Sequence, residues 1–212
     1  MKLAVAVLLV VAGCSQGSLL IKPNKDPKLN TEVTALWADD LRINARNGDW
    51  LLTRAYYATS DVIAKAAPGE DLSHASMYDA DRGMVIESVS SGVREIPVKD
   101  FLSRNHFVIV VRPANMTAAE GTAALARAKS KIGAKFDATG MFGIDNPDRF
   151  YCSELVYWAS EIEARSGLSE RVVTPSNLMK YGEVVYWSGK RTDPQIIQLA
   201  SERANQTTLA GH

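Results

Sequence analysis

Cysteine and histidine are scarce in this 212-residue chain, which has two cysteines and three histidines. The histidines, His74, His106 and His212, are too scattered to give the spacing of metal ligands. We therefore expect no metal and no cofactor. Excess charge is also lacking, because Lys and Arg total 24 and Asp and Glu total 24. Without a run of like charge, the chain has no electrostatic footprint for nucleic acid.

Long hydrophobic runs are missing too. The longest, from Leu3 to Ala12, is too short to cross a bilayer core of about 30 Å. It follows Lys2 and ends in small residues before Cys14, which is the layout of a secretory signal. The stretch "VAGC" at 11–14 also resembles a bacterial lipobox, whose cysteine is acylated and becomes the first residue of the mature chain. A buried N-terminal strand or helix is the alternative.

These features predict the organisation of the N-terminal region. We expect a signal peptide at residues 1–13, lipidation at Cys14 and a polar, lipid-anchored tether over residues 14–30. The protein is then held in the periplasm or cell envelope through a membrane anchor. Ser15, which follows the lipidated cysteine, favours the outer membrane.

The second cysteine, Cys152, is left as the only thiol if Cys14 carries lipid. An unpaired thiol in an oxidising compartment is a liability, so its presence needs a reason. One reason is packing, because a free cysteine behaves as a small hydrophobic residue. The other reason is chemistry.

The remaining sequence predicts one α+β domain over residues 31–205 and a C-terminal tail at 206–212, because neither a repeat nor a second linker is present. Apolar patterning predicts strands at 48–54, 73–79, 84–90, 93–98, 107–112 and 183–187. Helical periodicity predicts helices at 31–46, 56–67, 118–133, 152–162 and 193–206. The expected architecture is a mostly antiparallel sheet flanked by helices.

His74 and Glu87 are on consecutive predicted strands that a hairpin connects. If the turn has Ala80 and Asp81 at its tip, His74 is directly opposite Glu87 on one face. A four-residue loop makes the two side chains diagonal neighbours on the same face. An odd-numbered loop brings Ser88 to that face instead.

Cys152 begins a predicted helix, where the helix dipole and a nearby imidazolium both favour the thiolate. A glutamate beside a histidine fixes the tautomer of the ring, and a histidine held in this way can take a thiol proton. The candidate triad is therefore Cys152 as nucleophile, His74 as base and later acid, and Glu87 as orienting group. A surface His–Glu pair and a packing cysteine are the alternatives.

Four stretches together resemble the YiiX/YebB-like cysteine hydrolases, a circularly permuted branch of the NlpC-type papain-like superfamily. They are "GDWLLTR" (48–54), "SHASMYDADRGMVIES" (73–88), "KFDATGMFGIDNPDRFYCSELVYWA" (135–159) and "VVTPSNL" (172–178). The histidine strand precedes the cysteine helix, as in the permuted branch. The resemblance implies a papain-like fold with a central antiparallel sheet packed by helices. It also implies the roles of Cys152, His74 and Glu87 given above, and an oxyanion hole that includes the backbone N–H of Cys152.

Three functions remain open on the sequence. The first is an anchored hydrolase that cleaves an amide bond in peptidoglycan peptides. The second is a lipid-directed acyl hydrolase or acyltransferase, which predicts an apolar channel at Cys152, whereas a wall-peptide site should offer charged groups. The third is a non-catalytic anchored binding module. The expected partner is thus a peptidoglycan peptide or a lipid or acyl substrate.

Overall fold

The structure is a computed structural model that describes residues 26–56, 72–144 and 146–210, with side chains through Gln206. The predicted signal peptide, the lipidation site Cys14 and most of the predicted tether lie outside the described residues. Residues 57–67 of the helix predicted at 56–67 also lie outside the described residues.

Within the described residues the chain alternates strands and helices around one large sheet. The strands are β1 Trp50–Ala55, β2 His74–Asp79, β3 Met84–Val89, β4 Gly92–Pro97, β5 Asn105–Pro113, β6 Lys135–Phe136, β7 Arg149–Phe150 and β8 Gly182–Trp187. The helices are α1 Pro27–Asn44, α2 Val98–Ser103, α3 Ala118–Ser130, α4 Cys152–Ala159, α5 Ile162–Ser166, α6 Pro175–Leu178 and α7 Pro194–Ala210.

Six strands form the main sheet in the order β4-β3-β2-β1-β5-β8, and each neighbouring pair is antiparallel. Successive residues of a strand point to opposite faces, so Trp50 and Leu52 join one core and Leu51 joins the other. Helices α3, α4, α5 and α6 cover the first face, and α1, α2 and α7 cover the second. The prediction of a central antiparallel sheet packed by helices is confirmed.

Several element boundaries differ from the predicted ones. Helix α1 begins at Pro27, four residues before the start predicted from apolar spacing, and therefore includes the end of the predicted tether. The Asp26 carboxylate accepts hydrogen bonds from the backbone N–H groups of Lys28 and Leu29, and proline fits the first helical turn. Helix α7 likewise continues to Ala210, beyond the predicted end of the domain. Helix α2 was not predicted, because its six residues are too few to show a period.

The hairpin between β2 and β3 has a four-residue loop, so the prediction that His74 is directly opposite Glu87 is wrong. Asp79 pairs with Met84, and Ser76 pairs with Glu87. The Asp79 carboxylate accepts a hydrogen bond from the N–H of Arg82 and favours the wider turn. His74 and Glu87 are therefore diagonal neighbours on one face, which was the alternative for a four-residue loop.

Helix α3 packs closely against the backbone at Gly48, just before strand β1. Gly48 has a φ of +84°, and a Cβ there would lie 2.3 Å from the carbonyl oxygen of Gly121 in α3. We expect Gly48→Ala to lower the free energy of unfolding by more than about 2 kcal/mol, measured by urea denaturation. The control is Gly133→Ala, since Gly133 has a φ of +92° with no atom within 4 Å of the added carbon. Equal losses for the two variants would contradict the role of the contact with Gly121.

Candidate active site

Cys152 is the first residue of helix α4, which packs across strand β2. The backbone N–H of Tyr151 donates to the Glu154 carboxylate at 3.0 Å, which closes the start of the helix. The Cys152 side chain is free of disulfide and buried, with an exposed fraction of 8 %. Its position at a helix N-terminus agrees with the sequence analysis.

Hydrogen bonds from neighbouring segments fix the start of α4. The Ser153 hydroxyl donates to the carbonyl oxygen of Val173 at 2.7 Å, and the N–H of Val173 donates to the Tyr151 hydroxyl oxygen at 2.9 Å. The Ser88 hydroxyl, in strand β3, donates to the carbonyl oxygen of Phe150 at 2.5 Å. The residues before and after Cys152 are thus tied to two other parts of the domain, which limits the movement of its sulfur.

His74 and Glu87 are in direct contact. The Nε2 atom of His74 lies 2.8 Å from Oε2 of Glu87, and the exposed fractions of the two side chains are 12 % and 0 %. Because Nε2 faces the carboxylate, the nitrogen left for another partner is Nδ1. The diagonal register therefore still brings the two predicted residues together.

Cys152 meets His74 where strands β2 and β3 separate. The register between β2 and β3 ends at Ser76 and Glu87, so His74 and Ala75 extend beyond it towards the start of α4. There the Cys152 sulfur accepts a hydrogen bond from the backbone N–H of Ala75 and is hydrogen-bonded to the His74 ring. Cys152, His74 and Glu87 form a continuous chain of contacts.

The three groups shift one another's pKa values in the directions that favour charge separation. Burial lowers the pKa of His74, but hydrogen bonds to Cys152 and Glu87 outweigh it and raise that pKa to about 9. Burial raises the pKa of the Cys152 thiol, but the hydrogen bond and charge of His74 outweigh it and leave that pKa lowered. Burial also raises the pKa of Glu87, but the contacts with His74 and Arg104 hold it well below its usual range. The lowered pKa of Cys152 and the raised pKa of His74 both favour a thiolate–imidazolium pair beside an ionised carboxylate.

Two arginines that were not among the predicted site residues bind the Glu87 carboxylate. The Nε and Nη2 atoms of Arg94 donate to Oε1 of Glu87 at 2.9 and 2.7 Å. Nη2 of Arg104 donates to Oε2, and its guanidinium lies over the Phe101 ring. The buried carboxylate therefore has three cationic neighbours when His74 is protonated, and its ionised form is well compensated.

A signal for Arg94 was present in the sequence, but a signal for Arg104 was not. Strands β3 and β4 are joined by the two-residue turn Ser90–Ser91, and that register places Arg94 directly opposite Glu87. A two-residue tip at 90–91, of the kind assumed for the first hairpin, predicts that Arg94 lies opposite Glu87. Arg104 comes from the connection between α2 and β5, where no period constrains the direction of a side chain.

The other histidines are not part of this group. His106 lies in β5 with its ring against that of Tyr56, and His212 is outside the described residues. The Asp137 carboxylate of the "FD" stretch accepts hydrogen bonds from the backbone N–H groups of Thr139 and Gly140 at 2.9 Å. Asp137 therefore shapes the turn that follows β6.

Comparison with known proteins adds a family match. The profile of the family described as "Permuted papain-like amidase enzyme, YaeF/YiiX, C92 family" matches residues 44–202. This range contains all three members of the candidate triad. No curated protein matches the chain.

A solved structure is similar in fold. It is described as the crystal structure of the metalloprotein YiiX from Escherichia coli O157:H7, and the two chains are 19 % identical with a TM-score of 0.51. The similarity covers 68 % of this chain and 97 % of the YiiX chain. At this identity the comparison supports the fold alone, and the fold it supports is the papain-like one.

Proposed function

The chain belongs to the permuted papain-like amidase family that includes YaeF and YiiX, and from this premise we propose that it cleaves amide bonds with a Cys152–His74–Glu87 triad. The resemblance to YiiX-like cysteine hydrolases is confirmed, and so is the expectation of an enzyme rather than a binding module. The observation that carries the triad is the continuous contact from the Cys152 sulfur through the His74 ring to the Glu87 carboxylate.

The proposed mechanism follows from the charge state of these groups. The Cys152 thiolate attacks the carbonyl carbon of the substrate, and the His74 imidazolium gives its proton to the leaving amine. A thioester then joins the acyl part to Cys152. His74, now neutral, takes a proton from water, which attacks the thioester and releases the acid. Glu87 keeps the ring oriented and stabilises its charged form in each half of the cycle.

The oxyanion of each tetrahedral intermediate needs a hydrogen-bond donor near the sulfur. The first backbone N–H groups of a helix have no carbonyl partner within that helix, and the N–H of Cys152 is the first in α4. We propose that this N–H donates to the oxyanion, with support from the positive end of the helix dipole.

A metal ion does not fit this group of residues. YiiX is described as a metalloprotein. Among residues 26–56, 72–144 and 146–210, however, no group of three or more His, Cys, Asp or Glu side chains is arranged to hold a metal. Glu87 accepts hydrogen bonds from Arg94 and Arg104, and a divalent cation would be placed beside two positive charges. We therefore propose direct thiol catalysis.

The cell envelope is the proposed location, through lipid on Cys14. None of the helices in the described part of the chain combines the length and apolar character that a bilayer span requires. The twelve residues between Cys14 and Pro27 can reach at most about 40 Å when fully extended. A domain anchored at Cys14 therefore works close to its membrane.

Peptidoglycan peptides are the first proposed substrate class, because an enzyme anchored in the envelope meets their amide bonds. Amides of apolar acyl chains are the second class, and a specific observation favours them. A cavity of about 420 Å³ on the same face of the sheet as Cys152 is lined mainly by apolar side chains. An apolar lining suits an acyl substrate, whereas a site for wall peptides should offer charged groups.

The triad is tested by the reactivity of its thiol. In the full chain carrying Cys14→Ser, Cys152 is the only cysteine. Because the hydrogen bond and charge of His74 lower the pKa of Cys152, we expect labelling by iodoacetamide to stay fast well below about pH 8 and to slow at least about tenfold in His74→Ala. The control is His106→Ala, which removes a histidine from strand β5 and should not change the rate. Labelling that rises only near the ordinary thiol pKa of about 8.5, equally in all three proteins, would contradict the triad.

A further inference from the structure

One oxygen of the Glu87 carboxylate is shared by two cationic groups. Nε2 of His74 lies 2.8 Å from Oε2, and Nη2 of Arg104 donates to the same atom. The other oxygen, Oε1, accepts both hydrogen bonds from Arg94. The two arginines therefore differ in position: Arg104 shares an oxygen with the candidate base, whereas Arg94 binds the opposite oxygen.

Arg104 and His74 are also neighbours through Phe101. The guanidinium carbon of Arg104 lies 5.4 Å from the centre of the Phe101 ring, and the centres of the Phe101 and His74 rings are 6.1 Å apart. The Phe101 side chain is fully buried. The carbonyl oxygen of Arg104 accepts a hydrogen bond from the N–H of Tyr56 at 2.9 Å. Contacts of the backbone and of the side chain thus hold the charge of Arg104 beside the imidazole ring.

The shared oxygen brings two positive charges close together when His74 is protonated. Because both nitrogens contact Oε2, they are no more than about 5 Å apart. Like charges at this separation repel each other, and burial strengthens the repulsion because little water screens it. Glu87 therefore stabilises the imidazolium and Arg104 destabilises it, while both charges remain compensated by the one carboxylate.

The charged and titratable groups around His74 come from several elements. Burial lowers the pKa of the ring, and hydrogen bonds to Cys152 of α4 and Glu87 of β3 raise it. Arg104, from the connection between α2 and β5, acts against these two hydrogen bonds. Arg94 of β4 binds the carboxylate rather than the ring. The proton affinity of His74 is therefore a balance in which Arg104 is the opposing cation.

From this arrangement we propose that Arg104 is a positioning residue of the amidase reaction, which limits the hold of Glu87 on the charged ring so that His74 can release its proton to the leaving amine. This inference rests on the proposed amidase function. The Cys152 sulfur bonds to the carbonyl carbon, and as the C–N bond breaks its electron pair stays on the nitrogen. The nitrogen takes the proton from Nδ1 of His74 and leaves as the free amine, while the N–H at Nε2 stays with Glu87. Without the repulsion from Arg104, the ring would be a weaker acid in this step.

The test compares amides with esters in the full chain carrying Cys14→Ser. Acyl p-nitroanilides and the p-nitrophenyl esters of the same acids form the same thioester at Cys152, but p-nitrophenolate leaves without a proton from His74. We expect Arg104→Gln to lower the amide-to-ester ratio of kcat/KM at least about threefold. Damage to the fold would lower both activities and leave the ratio unchanged, because both are measured on the same folded fraction.

Two variants serve as controls for this ratio. Arg104→Lys keeps a positive charge near Oε2, and since Nη2 makes the bond to Oε2 a single ammonium can replace it, so the ratio should stay within about twofold of the parent value. Arg94→Gln removes a guanidinium from the same carboxylate but from Oε1, so the ratio should fall less than in Arg104→Gln. Equal ratios in all these proteins, or an equal fall in Arg94→Gln and Arg104→Gln, would overturn the inference.

A titration separates this inference from the proposed function, because it needs no turnover. In the Cys14→Ser, Cys152→Ala chain, NMR of the imidazole ring measures the pKa of His74 with and without Arg104→Gln. We expect Arg104→Gln to raise this pKa by at least about half a unit. A raised pKa in a protein whose Cys152 hydrolyses neither amide nor ester would support the electrostatic effect of Arg104 and contradict the amidase function. An unchanged or lowered pKa, with Cys152-dependent amide hydrolysis intact, would overturn the inference and leave the amidase function in place.

Discussion

Cys152→Ala is expected to reduce kcat/KM for amide hydrolysis by about four orders of magnitude or more, because no acyl-enzyme can form without the nucleophilic thiol. His74→Ala should cost nearly as much, and the Cys152→Ala, His74→Ala double variant should cost little more than either single one. When residues act as one catalytic unit, removing one of them costs about as much activity as removing all of them. The measurement is steady-state hydrolysis of the acyl p-nitroanilide that the parent protein cleaves fastest.

The other cysteine, Cys14, provides a matched control for this prediction. Cys14→Ser removes a thiol but is expected to leave kcat and KM on a soluble amide unchanged. Circular dichroism of Cys152→Ala should match that of the parent, since alanine suits a helix start at a buried position. Retention of more than about one per cent of the parent activity in a folded Cys152→Ala protein would contradict covalent catalysis at this residue.

Regular periods in the sequence made much of the sheet predictable. Strands β2, β3 and β5 have alternating or continuous apolar residues, and their predicted positions match the observed ones within one or two residues. The cap of helix α3 was also predictable, because Thr117 and Glu120 form a capping box. Helix α2 has no such signal: its six residues make less than two turns.

The candidate site was predictable only in part, because its parts depend on contacts of different range. His74 and Glu87 lie on one hairpin, so local register decides whether they meet, and the turn length was the only uncertainty. The meeting of Cys152 with His74 depends on the packing of α4 across β2, for which the family resemblance gave the signal. The role of Arg104 depends on the direction of one side chain from a short connection, which no period in the sequence determines.

Glu87→Gln is expected to destabilise the fold by about 3 kcal/mol or more, because it leaves partly buried cations without their counter-charge. Arg94 and Arg104 have exposed fractions of 25 % and 14 %, so water compensates them poorly. The control is Glu95→Gln on the neighbouring strand β4. Glu95 pairs with Arg82, which is 54 % exposed, and the loss there should stay below about 1 kcal/mol. Urea denaturation of both variants at neutral pH measures the difference.

The same substitution should change two pH dependences in opposite parts of the range. Folding lowers the pKa of Glu87, so its contribution to stability is complete above the ordinary value of 4.5 and is lost as the pH falls below that value. The Glu87→Gln protein should not show this loss of stability at acid pH.

Activity of the parent protein should decline at alkaline pH as His74, with its pKa raised to about 9, loses its proton. Without the carboxylate that helps to raise this pKa, the alkaline limb of kcat/KM should move towards 6.5, the ordinary value for histidine. An unchanged limb in a folded Glu87→Gln protein would show that Glu87 does not act on His74, and the third member of the triad would be wrong.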